Sequence, residues 1–180
     1  MKKIALLLTL IISTITCFGQ TIEVSQFGST TVSRPTVAAS SDQIADYAKR
    51  KLHNKIPNPS FFKTPNTKVF SIGNVLVSIT FGTLKKNYPN PDAWLNVAQT
   101  NLDGIFRGTP NYTSSIETIN NKRFYINCIE LGGGKMITFY SVNSATLTTM
   151  HGSIQYAPED EVEAKTTLKE LLHNFKFKVQ

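Results

Sequence analysis

Arg123-Phe124-Tyr125-Ile126-Asn127-Cys128-Ile129-Glu130-Leu131, then Gly132-Gly133-Gly134, then Lys135-Met136-Ile137-Thr138-Phe139-Tyr140-Ser141-Val142 is the stretch that decides the fold. Two runs rich in β-branched and aromatic residues face each other across three glycines, which reads as two strands joined by a tight connection. Upstream, Ser115 to Ile119 is a third strand, set off by Asn120-Asn121, and downstream Leu147 to Tyr156 is a fourth, set off by Asn143-Ser144-Ala145. Connections this short leave no room for a crossover, so the four strands form an antiparallel meander. Along the second strand Phe124, Ile126 and Cys128 share a face, and Cys128 reads as a small buried hydrophobe rather than a nucleophile.

Moving outward, Lys68 to Ile72 and Val75 to Phe81 flank Gly73-Asn74, where glycine permits the positive φ of a type II′ turn. Val75, Val77, Ile79 and Phe81 fall on one apolar face of that hairpin, and Leu76, Ser78 and Thr80 on a mixed one. Between hairpin and meander lies a helix capped by Asn90 with Pro91 at its first position. Trp94, Ala98, Leu102 and Ile105 make its apolar stripe, widened by Leu95 and Phe106, and Trp94 reads as core. A final helix follows Pro158, with acids in its first turn and Val162, Leu168, Leu171, Leu172 and Phe175 at helical spacing. The chain closes on the alternating Phe175-Lys176-Phe177-Lys178.

The segment ahead of the hairpin is less regular. Residues 20–40 read as one or two edge strands or an extended arm, and Ser41 as the cap of a helix from Asp42 to His53 that buries Ile44, Ala48 and Leu52. Pro57 and Pro59 stop that helix, and the loop they open carries Phe61-Phe62. Two adjacent phenylalanines do not easily face one core from an extended chain. The pair is therefore a candidate contact for a partner, against the alternative that both tuck under the loop.

The first nineteen residues have a different character. Met1-Lys2-Lys3 leads into an apolar stretch from Ile4 to Ile12, and Cys17 and Gly19 supply small residues three and one before a cut. This is the pattern of a secretory signal peptide cleaved between Gly19 and Gln20; a retained anchor and lipid attachment at Cys17 are the rival readings. On this reading residues 1–19 are the leader and 20–180 a single α+β domain. Cleavage removes Cys17, one of only two cysteines, so the mature chain has no internal disulfide. The expected address is periplasmic or extracellular, with no transmembrane span after cleavage.

Composition and motifs remove several function classes. The formal net charge of +7 falls by two when Lys2 and Lys3 leave, and the basic residues are scattered without the aromatic interleaving that reads single strands. No nucleic-acid partner is expected. His53, His151 and His173 are isolated from one another and from cysteine, so no metal or cofactor is expected and each histidine reads as a surface residue. The glycines before Lys135 lack the spacing and the following helix of a phosphate loop. Ser153 follows His151 closely but sits in a strand without a GxSxG elbow, and Asp92, Asp103, Glu117 and Glu130 show no sign of pairing. The reading is accordingly non-enzymatic, with a hydrolase lacking a recognisable motif as an alternative; convergence of Ser153, His151 and a carboxylate in a cleft would revive it.

The order helix, hairpin, tryptophan-bearing helix, meander and C-terminal helix, with Ala164, Leu168, Leu171, Leu172, Phe175 and Phe177 at its close, resembles the PsbP/DcrB-like group, the fold group that also holds a Ran-binding nuclear-transport factor. The resemblance spans about Lys68 to Lys178 and departs at the helix and proline-rich loop before it. It implies an antiparallel sheet packed between helices, an α/β/α sandwich, and a binding or adaptor role; it carries over no functional residue. The expected function is an exported binding or adaptor protein of the bacterial envelope whose partner is another envelope or cell-surface protein, with a carrier of a small apolar ligand as the alternative.

Overall fold

The structure is a computed structural model that describes residues 20–52, 66–88, 90–131 and 134–178. The leader up to Gly19, residues 53–60 with His53, and the Phe61-Phe62 pair lie outside the described residues, so the expected cleavage site and partner contact are not described either.

Seven strands form the main sheet: β3 (Thr36–Ala38), β4 (Thr67–Ile72), β5 (Val75–Thr83), β6 (Thr113–Ile119), β7 (Lys122–Leu131), β8 (Gly134–Asn143) and β9 (Thr148–Tyr156). Their order is β3-β4-β5-β9-β8-β7-β6, and every neighbouring pair is antiparallel. After β5 the chain crosses to the far edge and returns strand by strand until β9 closes against β5. The turns that permit this are legible in their dihedrals. Asn120 and Asn121 both have positive φ, as a type I′ turn requires, and Gly73 sits at φ 54. A Cβ on Gly73 would also lie 1.9 Å from Glu163 Oε1, so the hairpin tip needs glycine twice over.

β1 (Gln20–Ser25), β2 (Gly28–Val32) and β10 (Lys176–Phe177) form a separate three-stranded sheet, order β1-β2-β10. The region read as an arm or edge strands thus forms β1, β2 and β3, and the alternating C-terminal tail pairs with β2. This small sheet and helix α3 (Glu161–Asn174) cover one face of the main sheet. That face is built from cross-strand rows that are apolar but for one buried serine: Val77, Ile154 and Ile137; Ile79, Gly152 and Phe139; Phe81, Met150, Ser141 and Phe124. Phe175 stacks on Phe81 at 5.8 Å and meets Phe124 edge-on at 6.3 Å. Gly152 is required here, because a Cβ would lie 2.1 Å from Phe139 Cζ. Each fully buried Phe, Ile or Leu in these rows stabilises the fold by roughly 1.5–3 kcal/mol before entropy is counted.

Helices α1 (Ser41–Lys51) and α2 (Trp94–Phe106) complete the α+β architecture. The cap of α1 is Ser40 rather than Ser41: Gln43 N–H donates to Ser40 Oγ and Ser40 N–H donates to Gln43 Oε1, a reciprocal capping box. Ile44, Ala48 and Leu52 are buried as expected. Asn90 Oδ1 accepts from Ala93 N–H, and a short 3-10 turn, Pro91–Ala93, leads into α2. Two stripe residues are displaced from where spacing placed them. Leu95, 1 % exposed, centres the inner face of α2, whereas Ile105 is 69 % exposed; at about 100° per residue Phe106 returns to within about 20° of Leu95 and Ile105 stands about 80° away. Val162 is exposed for the same reason, lying about 160° round α3 from the buried Ala164. Among the described residues no helix is long and apolar enough to cross a membrane.

Candidate functional site

Alternation along the strands places a second set of side chains on the opposite face of the main sheet, and these differ in kind. Paired registers align them in rows: Tyr125, Tyr140, His151 and Thr80; Asn127, Thr138, Ser153 and Ser78; Ile129, Met136, Gln155 and Leu76. The first row is aromatic, the second polar, the third mixed. α2 lies over the β7 and β8 part of this face.

Between α2 and the sheet is a cavity of about 250 Å³. Leu102 and Phe106 of α2 close it from above, and Ile129 and Met136 give it an apolar end. Asn127, Thr138, Tyr140, His151, Ser153 and Gln155 form the rest of its lining. The polar row is internally bonded: Thr138 Oγ1 donates to Asn127 Oδ1 at 2.8 Å, and the Ser78 and Ser153 hydroxyls lie 2.8 Å apart. Asn127 is 1 % exposed, and its amide lies against the Tyr125 hydroxyl; Gln155 is 4 % exposed, and its Oε1 has no hydrogen-bond partner within the protein.

The aromatic row sets the electrostatics. The His151 ring stacks on Tyr140, 4.4 Å between centroids and 4° from parallel, and Tyr140 stacks in turn on Tyr125 at 5.6 Å. Burial pushes His151 down to about 4, so its imidazole is neutral at pH 7, and burial likewise raises Tyr140 above the usual phenol range. At the edge of the row a carboxylate fastens the helix to the sheet. Asp103 of α2 accepts from Tyr112 Oη at 2.6 Å and from Tyr125 Oη at 3.2 Å. Burial opposes its ionisation, but hydrogen bonds from Tyr112, Ser114 and Tyr125 outweigh that and hold the carboxyl below its ordinary value.

The residues singled out from sequence fall in different places. His151 is a wall of the cavity, not a surface residue, because its strand position alternates in phase with Ser153 and Gln155 on the covered face. His173 is exposed on α3. Ser153 is buried beside His151 in the cavity wall, with its hydroxyl engaged by Ser78, and none of the lining residues is an acid. Asp92, Asp103, Glu117 and Glu130 are held by separate neutral donors: Ser144, the two tyrosines, Ser115 and Asn111. Cys128 faces the other side of the sheet, its Sγ 3.6 Å from Tyr156 Oη. Among the described residues no group of three or more His, Cys, Asp or Glu side chains is placed to hold a metal. Trp94 is half-buried and meets Tyr140 at 6.4 Å, beside the cavity and outside the main core.

A larger groove of about 610 Å³ runs between the β6–β7 and β8–β9 turns, lined by Lys122, Arg123 and Lys176 among others. Arg123 and Lys176 there are exposed. It is an open surface groove, not a covered cavity.

No protein-family model matches the chain, and none of the curated proteins matches it in sequence. Solved structures do match. The solution structure of cyanobacterial PsbP from Synechocystis is 7 % identical, with a TM-score of 0.51 over 90 % of this chain and 94 % of that one. The Ran-binding protein Mog1p of Saccharomyces cerevisiae is 10 % identical, with a TM-score of 0.50 over 88 % of this chain and 94 % of that one. At these identities the likeness is one of fold: the chain has the α+β architecture of the PsbP/Mog1 group that its element order suggested.

Proposed function

We propose that this is an exported, non-enzymatic binding protein that holds a small molecule between α2 and the main sheet. The observation that carries the reading is the cavity itself: covered by a helix, lined by side chains of three adjacent strands, with a few polar groups converging on an apolar interior. Such a composition is that of a ligand site rather than of a packing defect, and about 250 Å³ lies just under the roughly 300–1,000 Å³ of drug-sized sites, so the ligand is small. Export is supported by the leader pattern from Met1 to Gly19. The adaptor reading with a protein partner rests on Phe61-Phe62, which lie outside the described residues, whereas the carrier reading has a described site.

Catalysis finds less support. Ser153 and His151 are neighbours on the cavity wall, but no carboxylate lines the cavity with them and the Ser153 hydroxyl is engaged by Ser78. Native mass spectrometry of the protein freshly purified from its own envelope tests the proposal. The expected result is a small added mass that is released on denaturation and is absent from Leu102→Trp, which fills the cavity. No retained mass, or chemical conversion of the released compound by the protein, would overturn it.

A further inference from the structure

Among the described residues the two sheets end in the edge strands β1, β10, β3 and β6, and the first three are protected. β1 carries a bulge between Glu23 and Ser25, and β10 is two residues long. β3 is three residues long and follows directly on Pro35, and the Thr36 N–H donates to Gln20 Oε1. Bulges, proline, short length and cover are the devices that keep a sheet edge from pairing with another chain. β6 has none of them. It is seven residues long, contains no proline or lysine, and keeps an unbroken register with β7 from Thr113 opposite Cys128 to Ile119 opposite Lys122.

The β6–β7 turn decides which backbone groups this edge offers. Asn120 and Asn121 join Ile119 to Lys122, so that pair exchanges hydrogen bonds, and by alternation so do Glu117, Ser115 and Thr113 with their partners on β7. The N–H and C=O groups of Ser114, Ile116 and Thr118 therefore point away from β7, and no backbone group elsewhere in the described residues takes them up. These positions are symmetric about Ile116, the middle of the strand. We propose that β6 pairs antiparallel with β6 of a second copy of this chain, about a twofold axis at Ile116, joining two main sheets into one. Ile116 then faces Ile116, Ser114 faces Thr118 and Ser115 faces Glu117 of the second copy, with about six backbone hydrogen bonds. Glu117 is the one charge of the strand, and it meets a serine rather than its own counterpart. Its carboxylate already accepts from Ser115 Oγ of its own chain at 3.1 Å, so the same donor and acceptor recur across the axis. Thr113, Ser115, Glu117 and Thr118 are exposed, and nothing has to be uncovered for the edges to meet. Other axes fit less well. One at Ser115 or Glu117 leaves the outward groups unmatched, and the latter also opposes two carboxylates; one at Ser114 or Thr118 pairs only three of the seven residues.

A contact one strand long, about 24 Å, is at the small end of specific interfaces, so the dissociation constant is on the order of 10–100 µM. Sedimentation of the protein purified from its own envelope, between about 1 and 300 µM, is expected to show monomer passing to dimer. Thr118→Pro removes an outward N–H that β7 does not use, so it should abolish the dimer and leave the thermal midpoint near that of the parent. Ser115→Glu sets like charges together across the axis and should weaken the dimer about tenfold, whereas Ser115→Lys sets opposite charges together and should tighten it about threefold. The Ser115 variants leave the backbone untouched and decide the matter if Thr118→Pro does not fold. A protein still monomeric at about 300 µM would overturn the proposal. So would a dimer retained by folded Thr118→Pro, Ser115 variants that shift affinity in the same direction, or capture of a different envelope protein on this edge without self-association.

Discussion

One sheet carries two unlike faces. Toward α3 and the small sheet, β5, β9, β8 and β7 present Phe81, Met150, Phe139, Ile154 and Phe124, each essentially inaccessible. Toward α2 the alternate residues of the same strands present His151, Ser153, Thr138, Asn127 and Gln155. Both faces are covered, so burial alone does not separate them. What separates them is whether the covering element fills the space: α3 and Phe175 interdigitate with the first face, while α2 leaves a cavity over the second. The first face is closely packed, and the second leaves a cavity under its covering helix.

The comparison breaks most directly by truncating one large side chain on each face. Phe81→Ala on the α3 side should cost about 3–5 kcal/mol in urea unfolding, and Leu102→Ala on the α2 side less than about 2 kcal/mol, because Leu102 already borders open space. Equal losses would mean that the two faces are equally well packed. Acid provides the next largest effect. His151 titrates at about 4 in the folded protein against 6.5 when free, so between these values the unfolded chain binds more protons. Stability is full above about pH 6.5 and falls by on the order of 2–3 kcal/mol as pH drops toward 4, a loss that His151→Phe should remove. A variant that keeps the same pH dependence would place His151 outside the covered face. The smallest effect sharpens the boundary of the site: Ile105→Ser on the outer side of α2 should change stability by no more than about 0.5 kcal/mol and leave ligand binding unaltered.

Much of this arrangement can be read from the residues. The period-two pattern of Arg123 to Tyr156, the Asn120-Asn121 and Gly73-Asn74 turns and the Asn90 cap are local signals, and local signals survive folding. The mixed character of Leu76, Ser78 and Thr80 was equally legible. The cavity was not, because its walls come from β7, β8, β9 and α2, whose alignment depends on long-range register. His151 shows the difficulty: isolated among histidines in sequence, it gains its meaning only when β8 brings Tyr140 alongside. The available clue was the run of alternate residues Tyr125, Asn127 and Met136, Thr138, Tyr140, too polar for a core and too aromatic for a solvated surface. Ile105 and Val162 are exposed although their spacing fits the apolar stripes, because a loose stripe does not fix helical phase.

The small sheet has a bearing on the order in which the fold can close. β2 is flanked by β1 near residue 20 and by β10 at residues 176–177, and Phe175 caps Phe81 and Phe124. The hydrophobic interior therefore cannot be sealed until the last of these residues has been synthesised. The two ends of the described chain are thus fastened to one another through β2, so loss of that one strand would release both.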